Sequence, residues 1–498
     1  MGILVFFLWL VSACISYVLL GGFLEKLIEG YDASRISNLP LWVTGVALLI
    51  SIGATLLWAS RVPEIPHSRT PRASQRRRFI GAALGSVAGV AAAATAGVLR
   101  NREWYSVTGR NIFLVRPPYK AKQYQSDWAD SRIARYRRLG RTDFRVSDIS
   151  LGTGSSTGGR LTPQVAREAI DRGMNYFDTA PDYAASGSEQ ILGEAMKGVR
   201  DRVFLATKFC TPQGHLGPGS TVQDYMDAVN SSLQRLKTDH VDLVHIHSCN
   251  SVDRLMDENA HEAFDRLKAQ GKARFLGVST HTPDLEEVAN AAIDSNRFDV
   301  MMLAYHYGAW PGIGQIIDRA AANDIGVVAM KTLRGSSHQG LRAVQDSPES
   351  FTQASFKWVL SNPSVSCLVI SLWERAQIDE FFFASGQDPS ADEYAVLESY
   401  DQSTRSIQCR PHCGDCLSQC PENLSIPDIL RQRTYFENYG AEKEGMRLYS
   451  ELEKNASVCA ACPAPCQSGC SYGINIPDEL KKAHSLLSLD PGESHSRG

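Results

Sequence analysis

Val203-Phe-Leu-Ala-Thr-Lys-Phe209, then Thr221 to Lys237, then Val241-Asp-Leu-Val-His-Ile-His247 read as a strand, a helix and a strand. The outer two runs are short and apolar, as in strands buried on both faces. The middle run repeats its apolar residues at three and four, as an amphipathic helix does. The same unit recurs along the chain. Candidate strands fall at 148–152, 175–178, 203–209, 241–247, 273–279, 299–305, 326–332 and 365–371, with helical patterns such as Val165-Ala-Arg-Glu-Ala-Ile170 between them. Strand then helix, eight times in about 260 residues, predicts a closed α/β (β/α)8 TIM barrel over 135–405. The alternative is an open doubly wound sheet, which a G-x-G-x-x-G turn after the first strand would favour. Leu151-Gly-Thr-Gly-Ser-Ser-Thr-Gly158 has glycines without that spacing.

Such barrels carry their reactive groups at the C-terminal ends of strands. Strand two ends in Asn175-Tyr-Phe-Asp178-Thr-Ala-Pro-Asp-Tyr183, strand three in Phe204-Leu-Ala-Thr-Lys208, and strand four in Asp242-Leu-Val-His245-Ile-His247. Asp178, Lys208 and His247 are expected to converge there, with Tyr183 beside them. A phenol at its ordinary pKa of about 10 is a poor proton donor or acceptor at neutral pH. A buried Lys208 ammonium, compensated by Asp178, is expected to lower that value. Tyr183 then acts as general acid toward a carbonyl oxygen oriented by His247. Each residue also has a structural explanation: His245 or His247 as a core histidine, Lys208–Asp178 as a structural pair.

Eight of the twelve cysteines lie in two C-terminal runs: Cys409, Cys413, Cys416, Cys420 and Cys459, Cys462, Cys466, Cys470. The runs repeat at an offset of 50 residues, which also matches Ile426-Pro427-Asp428 with Ile476-Pro477-Asp478 and Leu430 with Leu480. Four convergent thiolates suit an iron–sulfur cluster or zinc. The spacing C-x3-C-x2-C-x3-C-P is close to the ferredoxin run, whose last Cys often serves the other cluster. Two [4Fe-4S] clusters over 406–484 in a small helical ferredoxin-like domain are the expectation; zinc and disulfides are the alternatives. Cys14, Cys210, Cys249 and Cys367 read as small core residues.

Residues 136–405 resemble the aldo-keto reductase superfamily through Arg137-Arg-Leu-Gly-Arg-Thr142, Phe177-Asp-Thr-Ala-x-x-Tyr183, Thr207-Lys208, Ile246-His247, Gly277-Val-Ser279 and Val327-Val-Ala-Met-Lys331. The cysteine runs resemble its iron–sulfur branch. The resemblance implies an oxidoreductase whose Asp/Tyr/Lys/His tetrad falls on Asp178, Tyr183, Lys208 and His247. It also implies NADP(H), with phosphates on the loops after strands seven and eight. Lys331, Thr332, Arg334 and Gly335 would serve the first loop, Ser371 and Arg375 the second, Ser279 the carboxamide, and Tyr305 or Tyr307 the ring. The chain departs from the family at Ile370-Ser371-Leu-Trp-Glu-Arg375, which replaces a Gly-containing turn. Leu372 and Trp373 are bulky where backbone must approach phosphate, and Met302 stands where the family has Gln. These departures point to another electron donor.

The front of the chain differs in composition. Residues 3–23 and 40–59 are apolar and long enough to span a bilayer, and 79–98 is a softer Ala/Gly-rich third stretch. The third follows Arg76-Arg77-Arg78-Phe79, a twin-arginine-like segment. Six arginines in 61–78, against Lys26 and Arg35 in the first loop, place that segment inside. Residues 1–100 are thus expected to be a membrane region, 101–134 a linker and 485–498 a disordered tail. A net charge of −3 without a basic-aromatic patch excludes nucleic acid as a partner. The leading expectation is an enzyme of the bacterial inner membrane with its soluble part in the periplasm. It would act on a small carbonyl or alcohol and exchange electrons with quinone or a redox protein. Its rivals are an NADPH-dependent carbonyl reductase with structural clusters and a non-catalytic electron-transfer subunit.

Overall fold

The computed structural model describes residues 2–15, 19, 39–61, 124–154, 160–336, 338–410, 412–439 and 442–488. The expected third span over 79–98, its twin-arginine-like segment, most of the 101–134 linker and residues 489–498 of the expected tail lie outside them. The chain divides into two compact units, Met1–Leu114 with Lys122–Asp127, and Val115–Ala121 with Trp128–Gly498.

In the first unit a helix over Gly2–Ile15 packs against one over Leu39–Arg61. Hydroxyls join them: Ser12 and Ser51 share a hydrogen bond of 2.8 Å, and Trp9 Nε1 donates to Thr55 Oγ1 at 3.0 Å. These bonds pin the two apolar helices to each other at their polar positions. Phe7, Trp42 and Leu49 point outward. Among the described residues Leu41–Trp58 is the one helical stretch long and apolar enough to cross a membrane.

In the second unit eight parallel strands close on themselves: Ile149–Gly152, Tyr176–Asp178, Phe204–Thr211, Val241–Ile246, Ala273–Thr280, Val300–Ala304, Gly326–Met330 and Cys367–Ile370. The eighth returns to the first through Leu368 opposite Ile149, so the open-sheet alternative is excluded. All eight expected strands are present, within a few residues at their ends. Alternation along each strand sorts the side chains. Phe204, Ala206, Leu243, Val300, Met302, Val328 and Cys367 fill the barrel, whereas Leu205, Phe209, Val244, Ile246, Met301 and Leu303 pack against the helices. Ahead of the barrel, Trp128 is buried and Ile133 joins the outer core.

A hairpin, Tyr136–Arg138 with Arg145–Ser147, precedes the barrel, and Leu139 from its turn lies fully buried among the interior residues. Gly140 follows at φ +47, where an added Cβ would meet Gly326 N at 2.2 Å. Only glycine lets that turn sit so close to the barrel backbone.

The cysteine region adds helices Ile426–Asn438, Glu442–Ser450 and Ile476–Leu487. Its core consists of Leu424, Ile426, Leu430, Tyr449, Ile474, Ile476 and Leu480. Three pairs of these stand 50 residues apart, so the repeat read in the sequence is the packing unit of this region.

Replacing Leu139 with Ala should cost about 2–5 kcal/mol, because the plug has no neighbour free to fill its cavity. The check is a lowered denaturant midpoint at unchanged slope; an unchanged midpoint would show that Leu139 carries no such burden.

Candidate active site

Asp178 ends strand two, and Lys208 lies on strand three two residues beyond Ala206, the partner of Asp178 in register. Both face the barrel interior, where an ammonium cannot stay charged without acceptors. Lys208 Nζ donates to both Asp178 oxygens at 2.7 Å and to Thr179 O at 2.8 Å, using all three of its protons. Tyr183 stands on a short turn after strand two in which Ala184 and Ser186 take positive φ. Its ring centroid is 4.8 Å from Lys208 Nζ, and its Oη is 3.4 Å from His247 Nε2. The four side chains of the expected tetrad therefore meet at one end of the barrel. His245, in register with Lys208, is fully buried below them and presses on Gly277, where a Cβ would lie 2.5 Å from its Nδ1. His245 is thus the core histidine and His247 the one at the surface of the cavity.

The electrostatics differ from expectation in one respect. Burial raises the Tyr183 phenol well above 10, and the carboxylates of Asp178 and Asp182 push it the same way. The Lys208 charge is spent on Asp178 and does not lower the phenol. Tyr183 is therefore a proton-loaded acid, not a near-phenolate. Burial also holds His247 well below 6.5, reinforced by His215, Lys208 and Arg254, so its imidazole is neutral. Asp178 is raised by burial and lowered in part by Lys208.

A cavity of about 230 Å³ opens above the tetrad. Its wall includes Ser279, Lys331, Arg334 and Ser371 from the set expected to bind a cofactor, but not Tyr305 or Arg375. Tyr305 is odd-numbered beside Met301 and Leu303, so it faces the helices and packs on Trp358 at 5.1 Å. Arg375 pairs with Glu168 at 2.9 Å outside the cavity. Ser279 Oγ accepts from Ser248 N at 2.9 Å, and Ser371 Oγ donates to Gly152 O at 3.1 Å. Lys331 Nζ donates to Tyr435 Oη at 3.1 Å, and Arg334 pairs with the buried Asp401. The cations of the phosphate loop are thus already engaged by the protein itself.

Tyr435 belongs to Ile426–Asn438, which closes the cavity with Arg431, Tyr435 and Asn438. Arg431 Nη1 is 2.9 Å from His281 Nδ1. Burial would raise the Tyr435 phenol, but Lys331 and Arg431 outweigh it and hold it below 10. Sequence reasoning missed these residues, together with Asp182, His215 and His281. The signal was the spacing Arg431, Tyr435, Tyr439 at steps of four, one face of a helix.

All twelve cysteines are free thiols, so the structure contains no disulfide. The two sets differ from the linear runs. After burial, the Cys409 thiol is raised by Cys413, Cys416 and Cys470, and the Cys459 thiol by Cys420, Cys462 and Cys466. Cys420 lines one small cavity with Cys459, Cys462 and Cys466. The last cysteine of each run therefore stands with the other run's first three. Leu424 N donates to Cys420 Sγ at 3.5 Å and Ile474 N to Cys470 Sγ at 3.3 Å, at positions 50 apart.

Residues 148–355 match the aldo/keto reductase family. Similar proteins are L-galactose dehydrogenase of Arabidopsis thaliana, 25% identical over 278 residues, 49% of this chain and 86% of that one. Another is 6-dehydroglucose reductase of Novosphingobium aromaticivorans, 28% identical over 289 residues, 49% of this chain and 88% of that one. The uncharacterized oxidoreductase YqkF of Bacillus subtilis is 34% identical over 177 residues, 34% of this chain and 55% of that one. Among solved structures, the aldo-keto reductase AKR11C1 from Bacillus halodurans in its holo form covers 53% of this chain and 96% of its own, at 23% identity and a TM-score of 0.46. The closed barrel gathers its acid–base groups at one mouth, and all four of them lie within the stretch that matches the aldo/keto reductase family. The matched residues end before both cysteine runs.

With Tyr183 already protonated, carbonyl reduction should be flat with pH up to about 10, the ordinary phenol value. A rate profile falling with an apparent pKa of 7–8 would mean that Lys208 does tune the phenol.

Proposed function

We propose that this chain is a membrane-anchored carbonyl/alcohol oxidoreductase that exchanges electrons through two iron–sulfur clusters. One observation carries the reading: the cysteine region places its own helix over the tetrad, through Arg431 on His281 and Tyr435 on Lys331. The two thiol sets fit clusters better than zinc. Zinc draws four sulfurs to about 3.8 Å of one another, given Zn–S near 2.3 Å. Among the described residues neither set is gathered within 4.8 Å, and exchange of the fourth cysteine between runs is the two-cluster pattern.

Cys409, Cys413, Cys416 and Cys470 would hold one cluster, and Cys420, Cys459, Cys462 and Cys466 the other. Bound there, clusters would supply electrons one at a time to or from quinone or a redox protein. Reducing a carbonyl takes two electrons and two protons. Tyr183 Oη gives its proton to the carbonyl oxygen, His247 orients that oxygen, and solvent restores and completes the proton count. Lys208 and Asp178 hold the phenol in place. The apolar Leu41–Trp58 helix and the arginines of 61–78 support a tether to the inner membrane, with the barrel on the periplasmic side. The relatives named as acting on sugar derivatives make a small polyol or its carbonyl form a reasonable first substrate.

The test is anaerobic purification from membranes in detergent, with iron and sulfide analysis and low-temperature EPR. About eight irons per chain are expected from two four-iron clusters. Tyr183→Phe should abolish turnover and leave iron unchanged. Colourless protein, or full activity in Tyr183→Phe, would sink the reading.

A second reading keeps NADPH as donor. It is favoured by the loop after strand seven, where Lys331, Arg334, Gly335 and Ser336 all take positive φ. Such turns line up backbone N–H groups for an anion, and Thr332 Oγ1 and Arg334 Nη2 are buried without a partner. Fluorescence titration decides it: micromolar NADPH binding would favour a hydride donor, whereas the leading reading expects none.

A further inference from the structure

The tetrad leaves one cluster of side chains unexplained. Cys210 and His215 face each other across a tight antiparallel hairpin, in which Cys210 pairs with His215 and Thr211 with Gly214. Directly opposed residues of such a pair project to the same side. Asp182 arrives from the turn after strand two and His247 from the end of strand four. Among the described residues these four form the one group of His, Cys, Asp or Glu whose ligand atoms all lie within 4.8 Å of one another.

Two contacts, one to each Asp182 oxygen, approach the spacing of neighbouring ligand atoms around a metal. Zinc at about 2.0–2.3 Å from N, O and S sets neighbouring ligand atoms roughly 3.3–3.8 Å apart. His215 Nε2 lies 3.5 Å from Asp182 Oδ2, and His247 Nδ1 lies 3.7 Å from Asp182 Oδ1. Two of these atoms have no hydrogen-bond partner although buried: His247 Nδ1 and Asp182 Oδ1. The His247 side chain is 8% exposed. Buried polar atoms are normally satisfied, so each such exception calls for a partner. The Cys210 thiol lies 3.1 Å from both Thr211 O and Gly214 O of its own hairpin.

The surroundings brace the ligands. The Arg254 guanidinium donates to His247 O at 2.6 Å, Ser248 O at 3.0 Å and Leu216 O at 3.1 Å, tying the backbone beside His215 to that of His247. Outer-shell bonds of this kind fix ligand orientation. Charge also balances: a divalent ion with one thiolate, one carboxylate and two neutral imidazoles is neutral, which suits a site with Cys210 and His247 buried.

We infer that Asp182, Cys210, His215 and His247 bind one divalent transition-metal ion, zinc by the softness and geometry of the set. Binding would release the Cys210 thiol proton to solvent, and no electron moves. With Nδ1 on the metal, the His247 proton must sit on Nε2, the atom 3.4 Å from Tyr183 Oη. The ion would thus fix the tautomer that makes His247 a hydrogen-bond donor toward the cavity. The site stands whether or not the cavity reduces carbonyls.

The test uses full-length protein purified anaerobically in detergent, analysed for zinc and iron and by zinc K-edge X-ray absorption. One zinc per chain is expected, with one sulfur and three nitrogen or oxygen neighbours. Cys210→Ser and His215→Ala should each lose zinc at unchanged iron content, since even an outer-shell loss weakens affinity roughly 10–100-fold. Tyr183→Phe should keep its zinc, which separates failure of this site from failure of the catalytic reading. A four-sulfur zinc shell, protein without zinc after equilibration with it, or zinc retained in both ligand variants would each overturn the site.

Discussion

The mouth of this barrel is organised around one buried ammonium. Removing an ion from water costs several kcal/mol unless partners replace its hydration. Lys208 meets that demand with three acceptors, two from Asp178 and one from the Thr179 backbone. Those bonds cross from strand three to strand two and lock their ends together. The chain leaving strand two then has little freedom, and its first turn brings the Tyr183 ring above the ammonium. The same pair keeps its field to itself. Because Asp178 neutralises Lys208 locally, burial dominates Tyr183 and leaves its phenol protonated.

The second organising contact is the helix that the cysteine region lays over this mouth. A loop able to cradle phosphate has its Lys331 turned to Tyr435 and its Arg334 to Asp401. Trp373, after the eighth strand, is covered by the Arg160 guanidinium at 3.8 Å. On this side of the cavity the protein's own aromatic and cationic groups engage one another. His412 against Trp310, at 4.2 Å, extends the seam toward the first cysteine run. A proton-handling pocket and a sulfur-rich module share one wall.

Several features were open to reading from the chain itself. Strand positions followed from apolar runs, helices from spacing at three and four, and the paired cysteine units from the offset of 50. The tetrad was legible because its residues end consecutive strands and the interior parity is preserved: Phe204, Ala206 and Lys208 all point inward. The same parity, applied to Met301, Leu303 and Tyr305, would have turned Tyr305 away from the cavity. What the chain hid was combination. Asp182 and Cys210 carry no signal in their own segments.

Local periodicity and residue chemistry thus determined the barrel, its polar mouth and the number of thiols available, since each depends on neighbours a few positions apart. Tertiary structure decided which groups face one another. Lys331 and Tyr435 are 104 residues apart, Arg431 and His281 150, yet each pair is within hydrogen-bond reach. Crossing of the fourth cysteines, closure of the cavity and the sign of the Tyr183 shift all follow from how distant elements pack and how much water they exclude. Desolvation is a property of the assembled interior, which no short stretch of sequence contains.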